Sequence, residues 1–160
     1  MAFSRDTAIG TGLGAIVVAA IIAGLFVTGG PAEARRQKED QLREAALLST
    51  ANALVCLERA GVAFPEDRAQ QEAVWKEYRS TGQEKCFNSD LRADPVTEAP
   101  FALMRENGRV IQICANFATK RKQDNGPLTY ASLTALPALG ERRDTAGEHC
   151  FDIDYSAGIG

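Results

Sequence analysis

The chain holds one histidine, one tryptophan and two methionines in 160 residues, and none of its four cysteines sits in a C-x-x-C pair. With His149 alone, a Cys–His metal site would have to use Cys150, and adjacent residues of a strand point to opposite faces. A Ser-His-Asp or Cys-His catalytic set fails for the same reason, since nothing evident would orient the ring. No clustered basic surface is present either. The net charge is -3 and the isoelectric point about 5.3, and Lys120-Arg121-Lys122, the one basic run, reads as a solvated loop, so nucleic acid is not an expected partner. No phosphate-cradling loop follows a strand; the glycines of "GTGLG" at Gly10 to Gly14 open an apolar stretch instead. No cofactor and no enzymatic activity are expected.

The most extended absence is of charge: residues 7–32 carry none. Within them "AIGTGLGAIVVAAIIAGLFVTGG", residues 8–30, would rise about 34 Å as a helix, enough to span a bilayer. Its ten Ile, Leu, Val and Phe residues contribute roughly -3 to -6 kcal/mol towards insertion. Ala32-Glu33-Ala34 offers a small-x-small pattern that a signal peptidase accepts, but the apolar stretch exceeds a signal peptide's usual 7 to 15 residues (about half its length), so an uncleaved anchor is expected. Gly10 and Gly14, continued by Ala20 and Gly24, place small side chains along the span where another membrane helix can approach closely.

Arg35, Arg36, Lys38 and Arg43 follow the span, and counting them alone would hold the C-terminal domain in the cytoplasm. The cysteines argue for export. Cys56, Cys86, Cys114 and Cys150 are even in number within a small domain, the usual mark of disulfides formed in an oxidising compartment. The expected organisation is a short cytoplasmic N-terminus at residues 1–7, a transmembrane helix at 8–30 and a periplasmic domain at 31–160, anchored in a bacterial inner membrane.

Within that domain the periodicity predicts an α+β fold. Leu42, Ala46, Ala53, Leu57 and Ala60 recur at helical steps, giving one amphipathic helix over residues 32–60, which continues from the span through a kink at Gly29-Gly30-Pro31 and ends at Gly61. A second helix is predicted over residues 66–78. The period then becomes two: residues 101–105 and 110–118 flank a Glu106-Asn107-Gly108 turn as a β-hairpin, with Ile111, Ile113, Ala115 and Phe117 facing the long helix. Residues 119–148 read as a long polar loop, and a last strand over 149–155 turns Phe151, Ile153 and Tyr155 inward. Cys114 and Cys150 then lie on the outer faces of neighbouring strands and are expected to bond. That bond closes a loop of about 37 residues and contributes roughly 3 to 4.5 kcal/mol. Cys56 and Cys86 remain to tie the two helices together.

"DPVTEAPF" at Asp94 to Phe101, "ICANFAT" at Ile113 to Thr119 and "GEHCFDID" at Gly147 to Asp154, behind a single span and a long helix, resemble bacterial pilin-like and pseudopilin-like exported domains. Glu98 stands where such relatives usually carry glycine, and the span lacks the acidic fifth residue of a true prepilin. The resemblance implies a scaffold that packs against neighbours. Asp152 and Asp154, with Asp90 or Asp94, are the weak candidates for a calcium ion. Three functions are therefore in view: a non-catalytic single-pass subunit or assembly factor of a larger membrane complex, respiratory or photosynthetic, whose partners are integral membrane proteins and the lipid bilayer; a minor pseudopilin-like component of a secretion or pilus system; and a periplasmic calcium-dependent binding module.

Overall fold

The computed structural model describes residues 14, 16–21, 23–24, 30–81, 89–121 and 135–157. The chain divides into two units, Met1–Gln37 and Lys38–Gly160. In the first, residues 14, 16–21 and 23–24 are helical and exposed. Among the described residues no helix is long and apolar enough to cross a membrane; the span expected at residues 8–30 falls largely outside them. Helix α1 (Gly30–Arg59) opens at Gly30, whose φ of 70° is left-handed. Pro31 follows in the first turn, where its missing N–H costs nothing.

The second unit is α+β. It holds the rest of α1, helix α2 (Arg68–Ser80), strands β1 (Ala102–Glu106) and β2 (Arg109–Phe117), a 3-10 turn at Pro137–Gly140 and strand β3 (Gly147–Asp152). The strands form one antiparallel sheet in the order β1-β2-β3. Asn107 and Gly108, with φ of 51° and 81°, make the two-residue turn whose twist matches the flanking strands. A register shift between Met104 and Arg105 lets Arg105 pair with Val110, which turns Val110 into the core. The sequence pattern did not reveal that bulge.

Helix α1 ends as its sequence dictates. Gly61 adopts φ 69°, the Val62 N–H reaches the Leu57 carbonyl at 2.9 Å and the Gly61 N–H reaches Glu58 at 3.0 Å, the paired bonds of a glycine-terminated helix. Its burial, however, departs from the expected single amphipathic face. Residues 49–57 are buried without interruption, while Leu42 is exposed and so is Ala60. The cause is that α1 lies between two apolar layers. Leu47, Ala51, Leu54 and Val55 pack with Val110, Ile113, Phe117 and Phe151 of the sheet, and Ala53, Cys56 and Leu57 pack with Trp75 and Tyr78 of α2. The polar residues caught in this stretch are satisfied: Thr50 Oγ1 donates to the Ala46 carbonyl and accepts the Arg92 N–H at 3.0 Å each, and Asn52 accepts the Ala135 N–H.

Two further expectations need correction. Helix α2 starts at Arg68, not at residue 66, because the Asp67 carboxylate caps it by accepting the Gln70 N–H at 3.0 Å. The polar loop expected over residues 119–148 supplies core instead: Ala135, Leu136 and Leu139 are buried against the sheet side of α1. Proline and glycine fix the turn at Pro137–Gly140, and the apolar residues between them fill the space beyond β3.

Candidate functional site

Phe117, the last residue of β2, is fully buried, and its aromatic neighbours Phe151 and His149 meet it edge-on, each with ring centroids 6.1 Å away. Its faces are met by cations. The Arg143 guanidinium lies 3.8 Å from the ring centroid and that of Arg43 6.0 Å from it, so the quadrupole of one ring helps to hold two buried positive charges.

Each guanidinium is also held by carboxylates from α1 or the loop before β1. Arg43 donates through Nε to Asp94 at 2.8 Å and through Nη1 to Asp40 at 2.6 Å, with all three side chains nearly inaccessible. Asp40 further accepts the Ala118 and Thr119 N–H groups and the Thr119 hydroxyl, at 3.0, 2.7 and 2.7 Å. One turn on, Glu44 binds Arg143 at 2.6 Å and Arg121 through its other oxygen. Arg121 and Arg143 themselves form a two-bond backbone bridge, 2.9 and 3.1 Å, which brings their side chains together on Glu44. Arg121 is thus half-buried in the network rather than solvated as expected, whereas Lys120 is exposed and Lys122 lies outside the described residues.

Three carboxylates and three guanidiniums neutralise one another. Breaking such a network on one side leaves an uncompensated buried charge, which is costly. Burial by itself would raise the Asp94 carboxyl, but the Arg43 hydrogen bond, the Val96 N–H and the Arg43 charge outweigh it and hold the group below its ordinary value of 3.8. The Asp94 loop is closed by Glu98 N–H to the Asp94 carbonyl at 2.8 Å and Asp94 N–H to the Ala99 carbonyl at 2.9 Å, with Glu98 itself at φ 59°. That left-handed conformation is one that glycine adopts without strain. Among the described residues Nε of Arg121 and both Nε and Nη1 of Arg143 have no hydrogen-bond partner; for Arg143 the Phe117 ring takes that place. What the network does is fasten α1, the Asp94 loop, the end of β2 and the Arg121–Arg143 bridge into one body.

The residues singled out from sequence fall elsewhere. Cys114 and Cys150 are bonded, directly opposed in the β2–β3 register with Cα atoms 4.0 Å apart, and Cys150 is exposed on the outer sheet face. Cys56 is also disulfide-bonded; Cys86 lies outside the described residues. Gly14, Ala20 and Gly24 are helical and exposed, and a Cβ at Gly14 or Gly24 would meet nothing within 4 Å; Gly10 is outside the described residues. His149 Nε2 donates to the Thr145 carbonyl at 3.0 Å. Asp152 accepts from Gln112 Nε2 at 2.7 Å, and Asp154 turns to the Ser156 N–H and hydroxyl at 2.8 and 2.6 Å, a set of bonds that keeps its carboxyl below the ordinary value. Asp94 is committed to Arg43, and Asp90 to Trp75 Nε1 at 2.9 Å. Among the described residues no three His, Cys, Asp or Glu side chains are placed to hold a metal ion.

The buried network was not read from sequence. Its signal was the spacing of Asp40, Arg43 and Leu47, which continues the apolar stripe of α1 with charges. Charges at core positions are buried only when partners complete them; Asp40 and Arg43 are three residues apart, but the remaining ion-pair partners are 51 to 99 residues distant. No protein-family model matches the chain, and no curated protein or solved structure matches it.

Proposed function

We propose that this chain is a non-catalytic, single-pass membrane subunit or assembly factor of a larger bacterial membrane complex, with its disulfide-braced domain on the periplasmic side. One observation carries the reading. Residues 16–21 form more than one helical turn, and all six are exposed, with Ile16 at 68%, Val17 at 52%, Val18 at 55% and Ile21 at 58%. A turn and a half covers every direction around a helix axis, and a helix apolar all round needs an apolar medium. Lipid meets that need, and the uncharged stretch of residues 7–32 has the length for it. Bonded cysteines at 56, 114 and 150 agree with an oxidising compartment for the domain. The small residues Gly14, Ala20 and Gly24 suit close approach by a partner's membrane helix.

Alkaline carbonate extraction of membranes, with thiol labelling in intact cells before and after reduction, tests this reading. Retention in the pellet with labelling only after reduction supports it, and release into the supernatant overturns it. A minor pseudopilin-like component is the second reading, favoured by the left-handed Glu98 and by the packing of a small antiparallel sheet on one long helix. Purification in mild detergent separates the two: a stoichiometric integral-membrane partner supports the first, and secretion or pilus proteins support the second.

A further inference from the structure

We infer that Arg35 and Arg36 form a headgroup clamp that selects anionic phospholipids around the proposed anchor. The inference rests on the membrane reading above, and it lies wholly within the first unit, Met1–Gln37.

The uncharged stretch ends at residue 32, and α1 starts at Gly30, whose φ is left-handed. From Gly30, five and six residues of helix rise about 8 and 9 Å to Arg35 and Arg36. The polar layer outside the hydrocarbon is about 5 to 7.5 Å deep on each side of a bilayer. Arginine stems are long and bend back towards apolar surface while their heads seek polar partners. Both guanidiniums therefore reach phosphate depth, whether α1 stands upright or leans. Arg35 and Arg36 are exposed in the structure, and the inference uses that exposure, not any lack of partners on the protein. Being successive, they point about 100° apart around the helix and so reach different lipids. Glu33, the acid one turn earlier, is half-buried and accepts from Gln37 Nε2 at 3.5 Å, which draws its charge along the helix.

The guanidinium fork matches two oxygens of a phosphodiester. That match applies to every phospholipid. Selection arises because zwitterionic headgroups bring their own ammonium to the phosphate, whereas phosphatidylglycerol and cardiolipin do not, and each basic residue near an anionic surface strengthens binding about fivefold. A basic pair just outside an export-side anchor also runs against the usual cytoplasmic bias of positive charge, and a lipid-binding role accounts for its presence there.

The test uses the full chain and its R35Q/R36Q variant, reconstituted in vesicles of phosphatidylcholine alone or phosphatidylcholine with phosphatidylglycerol, then extracted in mild detergent. Native mass spectrometry counts retained phosphatidylglycerol. The expected result is that the wild type retains about 25-fold more than the double variant, about fivefold for each arginine, that R35K/R36K keeps most of the difference, and that high salt during extraction removes it. Equal retention by wild type and R35Q/R36Q overturns the clamp. Carbonate extraction of the same vesicles keeps the two readings apart. If both proteins stay with the pellet while retention is equal, the anchor stands and the clamp fails; if both are released, the anchor fails and the clamp with it.

Discussion

The two faces of α1 are held by different physics. Towards the sheet, the helix meets a large apolar layer sealed at one end by six charged side chains around Phe117. Towards α2, it meets a small layer built on the stacked pair Trp75 and Tyr78, with ring centroids 5.7 Å apart, and on the bonded Cys56. The sheet side gathers segments from the whole second unit and needs many weak contacts agreeing with one another. The α2 side joins two helices that are neighbours in sequence through a smaller apolar cluster, in which the disulfide-bonded Cys56 is buried. A large apolar cluster with a charge network on one side, and a small aromatic cluster around a buried, bonded cysteine on the other, is the contrast that mutations can probe.

Phe117→Ala should have the largest effect. It removes a fully buried ring and exposes the faces of Arg43 and Arg143, so a loss of about 3 to 5 kcal/mol is expected, read as a lowered denaturant midpoint in detergent. Arg43→Met should follow closely at about 3 kcal/mol, because Asp40 and Asp94 keep their charges without their partner. The same substitution changes the response to acid. Asp94 has its folded value below 3.8, so its stabilisation is fully present above that pH and is lost as pH falls through the lower folded value. Wild type should weaken across that window, and Arg43→Met should weaken less there, as thermal melts at pH 5 and pH 3 (roughly either side of the ordinary carboxylate value) will show.

On the other face, Trp75→Phe keeps an aromatic ring but removes the Nε1–H bond to Asp90 and part of the buried indole volume, with an expected cost of about 2 kcal/mol. The two covalent ties should also separate by rate. Cys150 is exposed whereas Cys56 is 1% exposed, and thiolate attack needs access to sulfur. Graded reduction followed by alkylation and mass spectrometry should find Cys114 and Cys150 modified before Cys56. The smallest expected change is Glu98→Gly. Left-handed backbone costs a non-glycine residue about 1 kcal/mol, and glycine's added freedom in the unfolded chain returns part of it. A net gain of about 0.5 kcal/mol should appear as a slightly raised melting temperature, and a loss would show that the Glu98 side chain contributes something the backbone does not require.

Sequence patterning carried the hairpin, the end of α1 at Gly61, the inward set of Ile113, Ala115, Phe117 and Phe151, and the Cys114–Cys150 pairing. All of these depend on period, on turn chemistry or on alternation within a few residues. It missed the bulge at Met104 and Arg105, the buried turn at Pro137–Gly140 and the charge network. The bulge is a choice between registers of similar local quality, and the turn is apolar only in the company of α1.

What the chain determined on its own is therefore the inventory: an uncharged apolar stretch, a glycine-stopped helix, a tight hairpin and strands whose outward cysteines must meet. These follow from backbone preferences and from the period of each element, which act over one or two turns. That α1 is buried on both faces, that Asp40, Arg43 and Glu44 lie inside rather than in water, and that Arg121 and Arg143 converge on one carboxylate were decided only by folding. A charge is stable in the interior only when its partners are in place, and apart from the local Asp40–Arg43 pair those partners stand tens of residues away, where no local pattern can announce them.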